Sequence, residues 1–507
     1  MELPAPIEDQ VDRSSNEEQP VQQPIEYLYI TFSTDITSSR SLAGYTQSPQ
    51  ATAGEEATVS PSNGPSLSQF ENPLCWTHRR KTFVTWLSCL STFVTTYTPG
   101  AYAAGLPQYR SQWGISTTAV YGGITVFTVC FAVAPMFLAS FSELVGRRPL
   151  FLAAGVVYVI SQLGSGLSTS FAGLLVTRAT AGISCSVFST VVGGVISDIY
   201  AADDRNTAMA IFTGAALCGT GIGPMISGII TQHLKWQWIF HVQTITCGIV
   251  VVALFIFFPE TRGSVLLSRK ADALNKWYEL SESTGSDDST PSTVAETETQ
   301  PRRRIRWIVK ANEERATLGI MMKTSLLRPI KLLLIESVVF WFSLWMSFAW
   351  SILYLTFEAV PLIFTRVYGF SPQANGFCFI AVSIASILGT VAALIQERVS
   401  RRLSIFGQPE ARLVFACGQS LLLPIGLFWL GTTARIEIPW IVPVLSICGL
   451  TLGIFSIYLA VFNYLADTYH SYASSAIAAQ SFTRNIFAAC LPLAVEPMLD
   501  SLGIVAY

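Results

Sequence analysis

The chain alternates between long apolar segments and short polar turns over most of its length. Each apolar segment is close to the roughly 20 residues that a helix needs to cross a bilayer. The pattern predicts an all-α integral membrane protein with two sets of spans separated by a polar linker. The six spans of the first set are 82–104, 118–140, 149–168, 171–194, 207–231 and 238–258, and the five of the second are 332–357, 374–395, 411–431, 438–461 and 473–496.

Two long polar stretches divide the chain. Residues 1–75 are rich in Ser, Thr, Gln, Glu and Pro, which predicts a disordered cytoplasmic tail, and YLYITF within it is too short to span. Residues 259–331 are predicted to be a cytoplasmic linker whose flanks, 263–280 and 307–325, can form surface helices. An N-terminal half at 82–258 and a C-terminal half at 332–507 remain.

Lys and Arg residues are distributed unevenly between the two sides of the predicted bundle. Cations gather before the first span, in the turns after the second and eighth spans, and at both junctions of the linker, whereas the opposite turns hold single cations. The positive-inside rule therefore places the N-terminus and the linker in the cytoplasm. The clustered cations are Arg79, Arg80, Lys81, Arg147, Arg148, Arg398, Arg401, Arg402 and Arg412, and the single ones are Arg110, Lys235, Arg366 and Arg435.

The two halves differ by one predicted span. The counterpart of 238–258 would begin near residue 504, and the sequence ends at Tyr507. We expect either that a twelfth helix has been lost by truncation or that the bundle lacks it.

Composition supports a membrane protein and narrows its function. Hydrophobic residues make up 51% of the chain and charged residues 13%, against about 25% charged in soluble proteins. The net charge of −2 argues against a nucleic-acid partner. The ten Cys lie mostly in apolar segments and lack metal-ligand spacing, so we interpret them as small buried residues. No catalytic triad, phosphate-binding loop or metal-binding pattern occurs, which predicts no enzyme activity, no catalytic or metal site and no cofactor.

A short charged motif occurs twice, as SELVGRR at 142–148 and QERVSRR at 396–402. Repetition of a charged turn between apolar segments indicates a duplicated bundle, as in secondary transporters. Glu143 and Arg147 are four residues apart, as are Glu397 and Arg401. If each turn continues helically, each pair can bridge to a neighbouring helix end, which predicts a gate that also includes Arg148 and Arg402. The alternative is that these charges only set topology.

The fourth span carries an arginine and a stripe of small and polar residues. One interpretation is that the stripe lines the translocation path or couples protons. The other is a close-packing stripe in which Arg178 snorkels to the interface. The residues, at a spacing of four, are Arg178, Gly182, Ser186, Thr190, Gly194 and Asp198.

The fifth span is rich in glycine and contains a proline. Ala215, Gly219, Gly223 and Ser227 recur every fourth residue, and small residues at that spacing let helices touch. Pro224 favours a kink. Together with Gly228, these residues predict a bent glycine seam that controls which side opens; ordinary helix packing is the alternative.

The second half holds further polar residues in apolar surroundings. Glu358 is bounded by Phe357 and Pro361 and is a candidate proton carrier, although a solvated interfacial position is also possible. Arg484 and Asn485 lie in the last span and predict a substrate or gate contact. The seventh and eighth spans are rich in aromatic residues that could stack on a flat substrate.

These motifs resemble the major facilitator superfamily, and in particular its fungal drug:proton antiporter family with twelve spans. SELVGRRPLF resembles the superfamily's signature loop, and RATAGISCS, GGVISDIY and the Gly/Pro run resemble the family's fourth and fifth spans. Further similarity to the multidrug-efflux branch lies in ENPLCW, PETRGSVLLSRKA, YLTFEAVPLIF, PEARL and NYLADTYHSYASSAIAAQSFTRN, so that the resemblance covers roughly 71–507.

The resemblance implies two six-helix halves and proton-coupled export of drugs, toxins or secondary metabolites across the plasma membrane by a monomer. It also implies a gating role for Glu143, Gly146, Arg147 and Arg148, a coupling role for Arg178 and the seam role of Gly219, Gly223 and Pro224. This chain departs from the family in its missing twelfth span and in Ser142-Glu143, where many members have an Asp-containing pattern. A nutrient or polyamine transporter and an inactive truncated protein remain the alternatives.

Overall fold

The computed structural model describes residues 25–34, 67–284, 304–313, 318–402, 411–469, 472–495 and 498. The chain forms two compact units. The helical body comprises residues 71–266 and 316–507, and the tail–linker unit comprises residues 1–70 and 267–315.

The first half of the helical body consists of seven helices that follow one another with short connections. Two turns of 3-10 helix, Ser68–Phe70 and Pro73–Cys75, precede them. The helices are α1 (His78–Ala104), α2 (Leu106–Trp113), α3 (Thr117–Val145), α4 (Arg147–Leu167), α5 (Phe171–Ile199), α6 (Ala202–His233) and α7 (Gln237–Phe257).

The linker helix α8 (Gly263–Thr284) agrees with the helix predicted for 263–280.

In the second half, two predicted spans are each divided into two helices. The segment 374–395 lies in α11 and α12, and 411–431 lies in α13 and α14. The helices are α9 (Leu318–Ile335), α10 (Ser337–Tyr368), α11 (Pro372–Cys378), α12 (Ile380–Arg402), α13 (Ala411–Ser420), α14 (Leu422–Thr433), α15 (Ile441–Tyr469) and α16 (Ala473–Cys490), followed by the 3-10 turn Leu491–Ala494.

The all-α membrane fold predicted from the sequence is confirmed. Among the described residues, nine helices are long and apolar enough to cross a membrane. The first and last predicted spans are also helical, as α1 and α16, but are rich in Ser and Thr. Helices α3 and α6 of the first half pack against the second half, α3 on α16 and α6 on α11 and α12.

The tail–linker unit contains a two-stranded parallel sheet of β1 (Ile25–Tyr29) and β2 (Arg304–Ile308). The disorder predicted for residues 1–75 is therefore wrong for this strand, because its pairing partner lies in the distant linker and is invisible to local composition. Most of the remaining tail lies outside the described residues. The helix expected at 307–325 is also wrong at its start, where β2 and the single turn Lys310–Glu313 precede α9.

A small core joins the sheet to α8. Trp307 and Leu274 are buried at its centre. The Trp307 amide donates to Asn275 Oδ1 at 2.7 Å, and Asn275 Nδ2 donates back to the Trp307 carbonyl at 2.9 Å. This reciprocal pair fixes β2 along the helix.

Candidate functional site

A cavity of about 1050 Å³ lies between the two halves of the helical body. We call the end with residues 142–148 and 258–262 the hinge end, and the opposite end, with residues 105–116 and 369–371, the loop end. The cavity lies at the loop end. Its lining includes Gly100, Leu106, Arg110, Ile115, Val120, Tyr121, Pro224, Phe357, Glu358, Pro361, Thr365, Arg366, Phe370, Asn375 and Phe379.

Glu358 contributes a carboxylate to this mainly apolar cavity. Its side chain is buried, with 2% of the residue exposed, so it is not a solvated interfacial residue. Two cations, Arg110 and Arg366, belong to the same lining. The cavity therefore combines apolar surface with charges of both signs.

Arg178 is fully buried and is not part of the cavity lining. Its guanidinium stacks on the rings of Tyr102 and Phe127, each at 4.5 Å, and its Nε donates to the Gly123 carbonyl at 3.3 Å. The snorkelling interpretation is therefore wrong, because the side chain does not reach an exposed surface.

The rest of the small-residue stripe packs against neighbouring groups. A Cβ on Gly182 would overlap the Phe127 carbonyl of α3, and one on Gly194 would lie 2.6 Å from Arg147 Nη2. Ser186 is buried, and Thr190 donates to its carbonyl at 2.8 Å. For these four residues the geometry favours close packing, but without the snorkelling of Arg178 that the same interpretation included.

A second buried arginine lies in the other half. Arg484 of α16 is 3% exposed, and its guanidinium stacks on Trp350 at 4.5 Å and on Tyr458 at 5.0 Å. Its Nη2 donates to Ser481 Oγ at 3.4 Å. Asn485 is also buried and donates to the Ser481 carbonyl at 2.8 Å.

The glycine seam lies on two faces of α6. On one face, a Cβ on Gly219 or Gly223 would overlap the backbone carbonyls of Phe93 and Tyr97 in α1, so only glycine allows this approach. On the other face, a Cβ on Gly228 would lie 2.6 Å from the Pro372 carbonyl of the second half.

Pro224 lies between these two faces of α6. The helix continues through it to His233, and the Pro224 ring packs against Gly100 of α1. The proline therefore belongs both to the seam and to the cavity lining.

Gly146 separates two helices at the hinge end. With φ of +108°, it ends α3 at Val145 and lets α4 begin at Arg147. Arg147 is buried, and its Nε lies 3.0 Å from Asp198 Oδ2 at the end of α5, while Nη1 donates to Ser142 Oγ at 2.5 Å. Asp198, predicted to lie on the substrate or proton path, is thus a partner of the motif.

Two residues absent from the sequence predictions complete this network. Glu260 accepts hydrogen bonds from the Arg147 and Arg148 amides at 2.8 and 3.3 Å and from the Thr261 and Arg262 amides at 3.0 Å each. Arg262 bridges Asp198 Oδ1 at 3.2 Å and Glu143 Oε2 at 3.8 Å. The signal was their position in PETRG directly after the sixth span.

The helical continuation expected for the first motif is wrong. Because the chain turns at Gly146, Glu143 and Arg147 belong to different helices, and each pairs elsewhere. In the second motif, α12 does continue through Glu397 to Arg402. The Arg401 and Arg402 side chains lie outside the described part of the structure.

Polar contacts join the two halves at the hinge end. Arg205 Nη2 lies 2.6 Å from Asp467 Oδ1. Asn206 donates to Glu397, which is 8% exposed, and accepts from Asn463 Nδ2 at 2.6 Å. The hinge end is therefore held together across the halves while the cavity lies at the loop end.

Comparison with protein families gives one match over most of the chain. The model described as Major Facilitator Superfamily matches residues 88–492. Similar proteins include the MFS-type transporter paaT of Penicillium rubens, 30% identical over 437 residues, which are 85% of this chain and 75% of the relative. The efflux pump FUBT of Fusarium oxysporum is 30% identical over 82% of this chain and 67% of the relative. The MFS-type efflux pump MFS2 of Trichophyton rubrum is 30% identical over 85% of this chain and 70% of the relative.

Solved structures show the same fold at low identity. The xylose transporter XylE from E. coli, in a partially occluded inward-open conformation, aligns with a TM-score of 0.55 at 14% identity, over 82% of this chain and 91% of that one. The human organic anion transporter MFSD10 aligns with a TM-score of 0.52 at 17% identity, over 84% of this chain and 95% of that one.

Proposed function

The chain belongs to the major facilitator superfamily, and on that premise we propose that it exports small organic molecules by alternating access, driven by protons. As a member, it is an integral membrane transporter of small molecules rather than an enzyme. The efflux-pump names of two fungal relatives support the outward direction of transport.

The observation that carries this proposal is the asymmetry between the two ends. A cavity between the halves lies at the loop end, while Arg205–Asp467 and Asn206–Glu397 tie the halves together at the hinge end. The clustered cations favour a cytoplasmic hinge end. We therefore assign this arrangement to the outward-facing state of a monomeric exporter in the plasma membrane. Transport requires those contacts to open while the cavity closes.

The hinge network within the first half supports a rigid gate. Arg147, Asp198 and Arg262 connect the ends of α3, α4, α5 and α7, so these helix ends move together. We propose that this unit rocks against the second half as the cross-half contacts break and form again.

Glu358 is the proposed proton carrier. It is a buried carboxylate in the lining of the cavity, where it can exchange a proton with the outside in this state. Neutralising the carboxylate removes a costly buried charge, which would allow the cavity to close around it. The inward flow of protons would then drive export of drugs, toxins or secondary metabolites.

Dye efflux from yeast expressing the full chain tests the proposal. Cells are loaded separately with cationic rhodamine 6G, anionic fluorescein or neutral Nile red, with and without a protonophore. We expect faster loss of at least one dye, abolished by the protonophore and by Glu358→Gln. Glu437→Gln, at an exposed loop-end position, is the matched control and should leave efflux unchanged. Proton-driven accumulation of dye would contradict export, and efflux that is unchanged by the protonophore would contradict coupling to protons.

A further inference from the structure

Each half of the helical body buries one arginine that lacks a charged partner among the described residues. Arg178 of α5 is 0% exposed and Arg484 of α16 is 3% exposed. No described Asp or Glu forms an ion pair with either. A cation in such surroundings is unfavourable unless an anion or hydrogen-bond acceptors compensate for the lost water.

The compensation within the described residues is incomplete for both arginines. Rings cover the faces of the two guanidinium groups, and cation–π contacts of this kind recover part of the desolvation cost. However, Nη1 and Nη2 of Arg178 and Nε of Arg484 donate to no described group. These N–H groups lie in the guanidinium plane, where a carboxylate binds with two parallel hydrogen bonds.

Both arginines lie deeper than the cavity lining, which includes neither of them. Arg178 donates to Gly123 of α3, one turn from Val120 in the cavity lining. On the other side, ring contacts lead from Phe357 in the lining to Tyr354 at 5.5 Å and on to Trp350 at 6.3 Å, on which Arg484 stacks. Helix α3, to which Arg178 donates, packs against α16, which carries Arg484.

The charges around the cavity favour an anion. Its lining contains the cations Arg110 and Arg366 and the carboxylate Glu358. With the two buried arginines beneath, positive charges exceed negative ones, and protonation of Glu358 would increase that excess. A cavity with such a field concentrates molecules of the opposite sign.

We propose that the transported molecules are amphipathic organic anions whose carboxylate binds between Arg178 and Arg484. Their flat apolar body packs on the aromatic rings of the cavity floor, such as Phe357 and Phe379. The cavity, at about 1050 Å³, has the size of sites for drug-sized ligands. This assignment of a substrate class rests on the proposed export function.

Three probes with one ring system and different charge test the assignment: naphthoate, neutral naphthamide and cationic naphthylmethylammonium. Their binding to the purified full chain in detergent is measured from the shift of the melting temperature with concentration. We expect naphthoate to bind most tightly. Arg484→Gln should weaken naphthoate binding by about tenfold, whereas Arg484→Lys, which keeps the charge, should stay within about threefold of the parent.

Arg328→Gln is the matched control. Arg328 is exposed and stacks on Tyr472 at 5.1 Å, so it shares the cation–π contact without lining the cavity, and its loss should leave naphthoate binding unchanged. Arg178→Gln repeats the test in the other half, should Arg484→Gln fail to fold. Tighter binding of the ammonium probe, no binding of naphthoate, or parental naphthoate affinity in both glutamine variants would overturn the proposal.

Binding in detergent needs no gradient, so the two proposals can fail separately. Naphthoate binding that depends on Arg484 without any dye efflux supports the anion site and contradicts export. Proton-driven efflux of rhodamine 6G by a protein that does not bind naphthoate contradicts the anion site and leaves export standing.

Discussion

Arg147 Nε lies 3.0 Å from Asp198 Oδ2, and the two side chains are only 6% and 10% exposed. The pair ties the start of α4 to the end of α5. Because Asp198 Oδ1 also accepts from Arg262 Nη1 at 3.2 Å, one carboxylate balances two guanidinium groups. Asp198 therefore holds two arginines of the hinge network at once.

Asp198→Asn should destabilise the hinge network strongly. The change leaves Arg147 buried beside a neutral amide, and removal of one partner of a buried ion pair typically costs 3–5 kcal/mol. Since Ser142 still accepts from Arg147, we expect a loss near the lower limit, about 3 kcal/mol, in the free energy of unfolding. Denaturant unfolding in detergent, followed by tryptophan fluorescence, measures this.

Glu71→Gln is the control for Asp198→Asn. Glu71 lies 3.7 Å from Arg80, with side chains 52% and 43% exposed, and such surface pairs contribute about 0–1 kcal/mol. Equal effects of the two substitutions would show that the hinge pair is no more important than an exposed one.

Gly146→Ala should destabilise the protein far more than the addition of one methyl group suggests. Its φ of +108° and ψ of +163° lie in a region that is essentially restricted to glycine, and the new Cβ would overlap the Glu260 carboxylate. We expect a loss of about 3 kcal/mol from strain and from disturbed hydrogen bonds to Glu260. Thermal unfolding in detergent and dye efflux measure the effect.

Gly369→Ala is the control at a milder positive φ. Gly369 also has a positive φ, +65°, but a Cβ there meets nothing within 4 Å, so only the left-handed backbone opposes alanine, at about 1 kcal/mol. A Gly146 variant no less stable than the Gly369 variant would rule out the clash with Glu260.

Exchanging the charges of Arg205 and Asp467 tests whether their pair closes the hinge end across the two halves. Either Arg205→Asp or Asp467→Arg replaces this 2.6 Å ion pair with two like charges and should reduce efflux by about tenfold or more. The double exchange restores opposite charges and should recover at least part of the rate. Efflux that stays as low in the double variant as in the single ones would mean that each residue acts alone.

The sequence alone predicts the spans well because burial in a bilayer needs long apolar runs, which are visible locally. It also identifies Glu143, Arg147 and Asp198 as important, since charges beside such runs are conspicuous. It fails on their pairing, because the positive φ of Gly146 breaks the helix on which the four-residue spacing depended. The sequence does not distinguish Glu260 and Arg262 from the other polar residues at the start of the linker.

Contacts between residues distant in sequence account for the other features that the sequence did not predict. The strand β1 pairs with β2, which begins at Arg304, more than 270 residues away in sequence. Arg178 and Arg484 stand out as polar residues in apolar helices, but the rings that stack on them all come from other helices. These rings are those of Tyr102, Phe127, Trp350 and Tyr458. Side-chain stacking of this kind follows from helix packing, which periodicity does not specify.

Trp307→Ala should release the N-terminal strand from the linker. The ring is buried between the sheet and α8, and loss of such a side chain typically costs 3–5 kcal/mol. In a core as small as this one, we expect β1 to lose its pairing. Hydrogen exchange measures this at the Ile30 amide, which donates to the Ile308 carbonyl at 3.0 Å in the parent. Unchanged protection of Ile30, with Leu90→Ala at an exposed α1 position as control, would contradict the role of Trp307.

Arg484→Leu should leave the ligand-free protein as stable as the parent or slightly more stable. Removing a membrane-buried cation that lacks a charged partner gains about 3 kcal/mol, and losing its stacking on Trp350 and Tyr458 costs about 2 kcal/mol, for a net gain of about 1 kcal/mol. Arg147→Leu removes an arginine that is equally buried but paired with Asp198, and should instead cost about 3 kcal/mol. Denaturant unfolding of both variants in detergent compares them directly. If Arg484→Leu destabilised the protein as much as Arg147→Leu, Arg484 would be a structural residue whose charge is already satisfied, and no anion would be needed to complete its site.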